Sequence, residues 1–159
     1  MILVTLGTQD KKFKRLLDMV QDLLDENVIK EKVIVQAGST KYHSDKMEVF
    51  DLIAKDEFDK LLKECDILIT HGGIGTILTA IKLGKKVIAI PRLKKYKEHV
   101  NDHQLEIVSK YKEEGYILAC LEEDSLKDIL EEAKTFKPRK YISNQKNFLK
   151  KLEKYLEEN

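Results

Sequence analysis

Three glycines fall within four positions in the segment His71–Thr76, which has the sequence HGGIGT and lies between an apolar run and an amphipathic one. Glycine loses much conformational freedom on folding, so this density indicates positive φ or a close approach to the backbone. Backbone N–H groups at the positive end of a helix bind phosphates. We therefore predict that Gly72, Gly73 and Gly75 hold a diphosphate and that Thr76 adds a hydroxyl or caps the helix. The alternative is a tight strand-to-helix turn without a ligand.

The spacing of these glycines argues against two common nucleotide sites. It matches neither the dinucleotide fingerprint GxGxxG nor a P-loop, which carries Lys and then Ser or Thr after its last glycine. Nicotinamide and ATP chemistry are therefore not indicated, and we expect no cofactor. His71 precedes the glycines and is a candidate for ligand contact or catalysis, although a lone histidine is more often structural.

Two further loops carry polar residues after apolar runs. Gly7, Thr8 and Gln9 follow the first run and can offer N–H groups and a hydroxyl to the same anion or to a neighbouring one. An ordinary turn in which Thr8 caps the next helix is the alternative.

The third loop begins at Pro91 and includes the sequence EHVNDHQ. We assign Arg92, Asp102, His103 and Gln104 to the binding of substrate, because such side chains make directional hydrogen bonds to sugar hydroxyls. Helix capping within this loop, by Asp102 or its neighbour, is the alternative. A metal site formed by His99, Asp102 and His103 is a weaker interpretation, since their spacing forms no recognised zinc motif and no cysteine or fourth ligand accompanies them. We expect no metal.

The elements that must position these loops alternate along the chain. Short runs rich in β-branched residues are apolar at successive positions, which is typical of strands buried on both faces of a parallel sheet. Amphipathic segments between them predict five helices, and a final helix follows Pro138. We predict an α/β fold with a Rossmann-like open, mostly parallel sheet of about six strands and helices on both faces. The predicted strands are Ile2–Leu6, Val33–Ala37, Met47–Ile53, Ile67–Thr70, Val87–Ile90 and Tyr116–Cys120.

Length and composition fit a single domain over residues 1–159. The 29 basic and 28 acidic side chains leave a net charge of +1, so nothing general points to nucleic acid as a partner. Two cysteines, Cys65 and Cys120, end or follow apolar runs and are expected to be buried. No apolar run approaches the roughly 20 residues that span a bilayer, and the N-terminus lacks signal-peptide features. We therefore expect a cytoplasmic protein.

The three loops, in this order, resemble the nucleotide-sugar-binding C-terminal half of GT-B glycosyltransferases of family 28. The chain is similar in particular to single-domain members, which include the catalytic subunit of the dolichol-linked GlcNAc transferase and bacterial capsule and exopolysaccharide transferases. The matching segments are Val4–Gln9, Cys65–Leu78, Gly84–Arg92 and Glu98–Leu105.

This resemblance implies a UDP-sugar as donor, with the diphosphate on the loop His71–Thr76 and the sugar near His103 and Gln104. It also implies an inverting transfer without metal, from a UDP-sugar to a polyprenyl-diphosphate-linked acceptor. One position departs from the family. Where members commonly carry a glutamate for the ribose hydroxyls, this chain has Thr79, and a hydroxyl does not replace a bidentate carboxylate acceptor. A non-catalytic nucleotide-sugar-binding or enhancer subunit is therefore the alternative function.

Single-domain relatives work with a membrane-anchored subunit that supplies the acceptor half, and the resemblance implies such a partner here. The protein would then lie at the inner face of the membrane through that partner. The sequence predicts a final helix over about residues 143–157, with an apolar stripe that includes Phe148, Leu152 and Leu156. The stripe is compatible both with packing on the chain's own sheet and with docking to the partner.

Overall fold

A computed structural model describes residues 1–142, and the predicted final helix lies outside these residues. Six strands form one sheet: β1 (Ile2–Thr5), β2 (Val33–Gln36), β3 (Glu48–Phe50), β4 (Ile67–Thr70), β5 (Lys86–Ala89) and β6 (Leu118–Ala119). Their order is β3-β2-β1-β4-β5-β6, and every neighbouring pair is parallel. The predicted Rossmann-like fold is confirmed, and the sheet is parallel throughout.

Among the described residues, five helices cover the two faces of this sheet: α1 (Lys14–Asp25), α2 (Lys55–Glu64), α3 (Ile74–Lys82), α4 (His103–Glu113) and α5 (Leu126–Ala133). One face packs against α1 and α5, where Leu17 and Ile129 are buried with the β1 side chains of Ile2 and Val4. The other face packs against the remaining three helices. None of the helices within residues 1–142 combines the length and apolarity needed to cross a bilayer.

Burial on both faces explains why the strands are apolar at successive positions. All four residues of β1 and all four of β2 are buried. The edge strand β3 has a different environment, because its two outer residues are exposed. Cys65 and Cys120 are both buried free thiols, as the sequence predicts. Burial is the first cause that raises the pKa of both thiols, to about 11 for Cys120.

The ends of the helices follow the predicted signals in part. Gly84 and Gly115 follow α3 and α4 with φ of 71° and 83°, the left-handed conformation expected of a helix-ending glycine. The alternative in which Thr8 caps the next helix is wrong, because α1 begins only at Lys14. Thr76 does not cap α3 either, since Gly73 is the N-cap and Thr76 lies in the first turn.

The strand order places a crevice between two loops, residues 7–9 and residues 71–76, which we call the glycine loops. Strands β1 and β4 are neighbours at the centre of the sheet, yet α1 after β1 and α3 after β4 lie on opposite faces. Their connecting loops therefore diverge at the carboxyl ends of the strands, which is the usual ligand position in an open α/β sheet.

Core packing on the α3 side predicts the effect of one truncation. Leu68 is fully buried in β4, whereas Leu52 is 67% exposed. We expect Leu68→Ala to lower the free energy of unfolding by about 2–5 kcal/mol through lost burial and a cavity. The control Leu52→Ala should change it by no more than about 0.5 kcal/mol. Urea denaturation followed by circular dichroism measures both, and equal losses would contradict the assigned packing.

Candidate functional site

A cleft of about 410 Å³ opens at the carboxyl ends of the central strands. This volume lies in the range of small-molecule sites. The cleft brings together seven of the predicted site residues with five others from β1, β2 and the segment after β3. The predicted residues are Gly7, Thr8, Gln9, His71, Gly73, Gly75 and Thr76, and the others are Thr5, Gln36, Ile53, Lys55 and Phe58.

The start of α3 presents backbone N–H groups to this cleft. Gly73 is the N-cap, no side chain caps the helix, and the first hydrogen bond within α3 runs from Ile77 N to Gly73 O at 3.2 Å. The N–H groups of the first turn, residues 74–76, therefore have no intrahelical acceptor. Together with the helix dipole, they suit an anionic ligand.

The His71 side chain fills the space between two glycine loops. A Cβ at Gly7 would lie 2.5 Å from His71 Nε2, and a Cβ at Gly73 would lie 2.2 Å from His71 Cε1. Neither position accepts a larger residue without moving the ring. Gly7 also has φ of 78°, which only glycine adopts readily. The His71 ring thus leaves no room for a side chain at either position. At Gly7, the positive φ also favours glycine.

The His71 ring is neutral at physiological pH. The side chain is 6% exposed. Burial, and next the positive charge of Arg92, lowers the pKa of His71 from 6.5 to about 3. A ring with this pKa is a poor general base near neutral pH, where an effective base has a pKa close to 7.

Gln104 joins the glycine loop to the loop after β5. Its Oε1 accepts hydrogen bonds from Gly72 N at 3.0 Å and from Arg92 N at 3.1 Å. Its Nε2 lies 3.3 Å from His71 Nδ1. The side chain is 2% exposed and does not line the cleft. The structure therefore places Gln104 behind His71.

Arg92 is the largest fully buried side chain among the described residues, at 1% exposure. Its guanidinium donates to Leu6 O at 2.7 Å, to Lys11 O at 2.7 Å and to Glu98 O at 3.0 Å. Burial lowers the pKa of Arg92 to about 10, so the group stays charged at neutral pH. These hydrogen bonds all go to backbone carbonyls of the surrounding loops, and Arg92 does not line the cleft.

A second arginine fixes the same loop from outside. Arg15 in α1 makes a bidentate contact with the carboxylate of Glu98, with Nε–Oε2 and Nη2–Oε1 distances of 3.0 Å. Glu98 Oε1 also accepts from Leu93 N at 3.0 Å. Glu98 is 4% exposed, so its charge is paired within the protein. Bidentate pairing of this kind gives geometric precision as well as energy.

The other predicted residues lie around the cleft without lining it. Gly72 packs against Gln104, and Asp102 Oδ1 accepts from Lys94 N at 2.8 Å. His103 is the first residue of α4, where its N–H donates to Asn101 Oδ1 at 3.0 Å. Thr79 is exposed, and its hydroxyl donates to Gly75 O at 2.9 Å.

Five cleft residues have no counterpart in the sequence prediction. Gln36 ends β2, and its amide accepts from Ile53 N at 2.9 Å and donates to Thr5 Oγ1 at 3.3 Å. Lys55 begins α2, and Phe58 lies in the same turn. Gln36 could have been identified from the sequence, because it is a polar residue at the end of an apolar strand. The strand order, which brings β2 and β3 beside the glycine loops, was not evident from local patterns.

The histidines considered for a metal have other contacts. His99 Nδ1 accepts from Asn101 N at 3.4 Å, and its Nε2 lies 3.5 Å from Gln9 Nε2. Within residues 1–142, no three His, Cys, Asp or Glu side chains are arranged to hold a metal ion.

The buried neutral ring predicts a pH dependence of folding. The folded pKa of His71, about 3, lies below its ordinary 6.5, so the unfolded chain binds one more proton between these values. The contribution of His71 is complete above pH 6.5 and is lost as the pH falls toward 3, with a slope of up to ~1.4 kcal/mol per pH unit.

Chemical denaturation between pH 4 and 7.5 tests this slope. We expect His71→Asn to be less stable than the unsubstituted chain. As the pH is lowered, however, its free energy of unfolding should fall less steeply. His43→Asn removes an exposed ring and is the matched control. The assignment fails if His71→Asn retains the full slope.

Known proteins share both sequence and fold with this chain. The UDP-N-acetylglucosamine transferase subunit ALG13 of Mus musculus is 29% identical over 66 residues, a match that covers 42% of this chain and 5% of the relative. The solution NMR structure of ALG13 superposes with a TM-score of 0.58 at 20% identity, covering 93% of this chain and 94% of that one. The crystal structure of the glycosyltransferase SnogD from Streptomyces nogalater gives a TM-score of 0.52 at 20% identity, covering 86% and 40%. The structural matches show a shared fold.

The match to a family model is more extensive. The model for the glycosyltransferase family 28 C-terminal domain matches residues 1–158. This match confirms the resemblance inferred from the three loops. It includes the cleft, the start of α3 and the buried network behind them. The chain therefore belongs to glycosyltransferase family 28, with the GT-B fold of the C-terminal domain.

Proposed function

We propose that this chain is the donor-binding subunit of a glycosyltransferase that uses a UDP-sugar. The observation that carries the proposal is the uncapped start of α3, whose free N–H groups line the same cleft as Gly7 and His71. A diphosphate fits this environment because the N–H groups and the helix dipole favour a dianion without requiring a metal. The mouse relative, named as a UDP-N-acetylglucosamine transferase subunit, supports this donor class.

The same cleft suits the nucleoside. Ile53 and Phe58 line it and supply apolar surface on which a flat base can pack, and Lys55, at the start of α2, adds a positive charge. The donor would then lie across the carboxyl ends of the central strands, with the diphosphate at the glycine loops.

The reaction we propose transfers a hexose or N-acetylhexosamine to a polyprenyl-diphosphate-linked acceptor. The acceptor hydroxyl oxygen attacks C1 of the sugar, the bond from C1 to the UDP oxygen breaks, and the configuration at C1 inverts. Negative charge grows on UDP as it leaves, and the start of α3 stabilises that charge. The acceptor's proton passes to a base on a membrane-anchored partner subunit, because His71 is a poor base at its pKa of about 3.

Sugar transfer tests the full proposal. The chain is assayed with UDP-GlcNAc and UDP-galactose and a polyprenyl-diphosphate-linked acceptor, with and without the product of the neighbouring gene. We expect transfer only when both subunits are present. Failure of the chain to bind UDP under either condition would overturn the proposal.

Binding of UDP also tests the site directly. We expect Thr76→Val to weaken UDP binding about five- to tenfold, because one hydroxyl hydrogen bond to the diphosphate is lost while volume is kept. Thr135→Val, after the end of α5, removes an exposed hydroxyl elsewhere and should leave the affinity unchanged. Isothermal titration calorimetry gives the Kd, and uridine, which lacks the diphosphate, should not distinguish the variants. Equal Kd values for UDP would remove Thr76 from the site.

A non-catalytic binding or enhancer subunit is the second candidate, and one observation favours it. The first turn of α3 contains no acidic side chain, and Thr79 faces a neighbouring groove with Lys55 and Asp59. No carboxylate from α3 therefore reaches the ribose hydroxyls.

Substitution at Thr79 separates the two candidates. A transferase that binds its donor without this carboxylate should keep its Kd for UDP within about threefold in Thr79→Glu. Thr79→Gln is the neutral control. A gain of about tenfold or more with Glu alone would indicate a ribose site that has lost its acceptor, and would favour the non-catalytic candidate.

A further inference from the structure

The orientation of the Gln104 amide is fixed by its neighbours. Two backbone N–H groups, from Gly72 and Arg92, converge on one atom of this amide at 3.0 and 3.1 Å. Only the oxygen can accept two donors, because the amide nitrogen has no lone pair available for them. The NH2 group must therefore be the atom that faces His71.

This orientation determines which nitrogen of His71 carries the proton. The Gln104 NH2 lies 3.3 Å from His71 Nδ1, so Nδ1 must accept a hydrogen bond. A neutral imidazole has one donor and one acceptor nitrogen, so the proton is on Nε2. The ring stays neutral because it is buried and because the charged Arg92 and the titratable His99 both disfavour a second proton.

The protonated nitrogen lies at the glycine loops. His71 Nε2 is 2.5 Å from the position that a Cβ of Gly7 would take and 2.6 Å from that of Gly73. Both glycines and His71 line the cleft. Because Gly7 and Gly73 have no side chains, the Nε2 edge of the ring lies beside the space that we propose for the diphosphate.

We infer that Gln104 is a positioning residue that locks His71 as the Nε2–H tautomer, so that His71 serves as a neutral hydrogen-bond donor to the anionic ligand. His71 then offers no free lone pair to the acceptor hydroxyl, because Nδ1 is occupied by Gln104 and Nε2 is protonated. The donor role rests on the proposed function, whereas the tautomer is a property of the chain without a ligand.

The tautomer is measured on the unsubstituted protein, so the test does not depend on a variant that folds. Long-range ¹H–¹⁵N correlation spectra of histidine-labelled protein distinguish protonated from unprotonated ring nitrogens, and His71→Asn assigns the signal. We expect a protonated Nε2 and an unprotonated Nδ1. Protonation at Nδ1 would overturn the inference.

The variant Gln104→Glu tests whether Gln104 determines the tautomer of His71. A carboxylate still accepts from the two backbone N–H groups, but its second oxygen accepts where the amide donated. We expect the proton of His71 to move to Nδ1 and its pKa to rise. Gln21→Glu on α1 introduces the same charge change at a hydrogen-bonded glutamine that does not line the cleft, and should alter neither. An unchanged tautomer in Gln104→Glu would show that Gln104 does not fix it.

Affinity for UDP separates this inference from the proposed function. We expect Gln104→Glu to weaken UDP binding by about tenfold or more, as one donor to the ligand is lost and a negative charge is added nearby. Gln21→Glu should bind as the unsubstituted chain does. If the tautomer changes and the UDP affinity does not, the donor role of His71 is wrong. If the unsubstituted chain binds no UDP, the proposed function is wrong. The tautomer assignment is still tested independently, by the ¹H–¹⁵N spectrum of the ligand-free protein.

Discussion

One buried guanidinium holds together the loops at the carboxyl ends of the strands. Arg92 donates to carbonyl oxygens after β1, before α1 and in the loop that leads to α4. Burying this charge is costly, and the three carbonyls that accept from Nη1 and Nη2 offset part of that cost, so the loops that carry them are tied to its position. The backbone N–H of the same residue donates to Gln104, which in turn contacts His71. The positions of the glycine loops therefore depend on a cation that does not itself line the cleft.

This arrangement shows how a chain with a net charge of +1 would provide the proposed anion site. Positive charge need not stand in the cleft, because the backbone of α3 supplies partial charges in fixed positions. Such groups cost little reorganisation when charge develops on a leaving group. The neutral ring of His71 fits the same pattern, since a neutral donor avoids the cost of desolvating a charge.

The sequence allowed the sheet and part of the cleft to be predicted, for a physical reason. Strands such as β1 and β2 are buried on both faces, and continuous burial leaves a continuous apolar run that is visible without neighbours. The glycines before α3 were visible because their density has few local explanations. Gln36 and Lys55 were missed because their proximity to the glycines depends on strand order. The place of Gln104 behind His71 was missed because spacing does not show which atoms of a side chain meet two backbone donors.

The ring between the glycine loops also couples positions in the sequence. Gly73 has φ of −74°, which any residue adopts, so the constraint there is one of space, and the three atoms nearest to a Cβ all belong to the histidine ring. Gly7 is constrained twice, by the ring and by its φ of 78°. A homologue with a smaller residue in place of His71 would therefore lose the nearest obstacle at the position of Gly73 but would keep the backbone constraint at that of Gly7. Divergence of this site should proceed by paired replacement at two of the three positions, with the third held constant by the backbone.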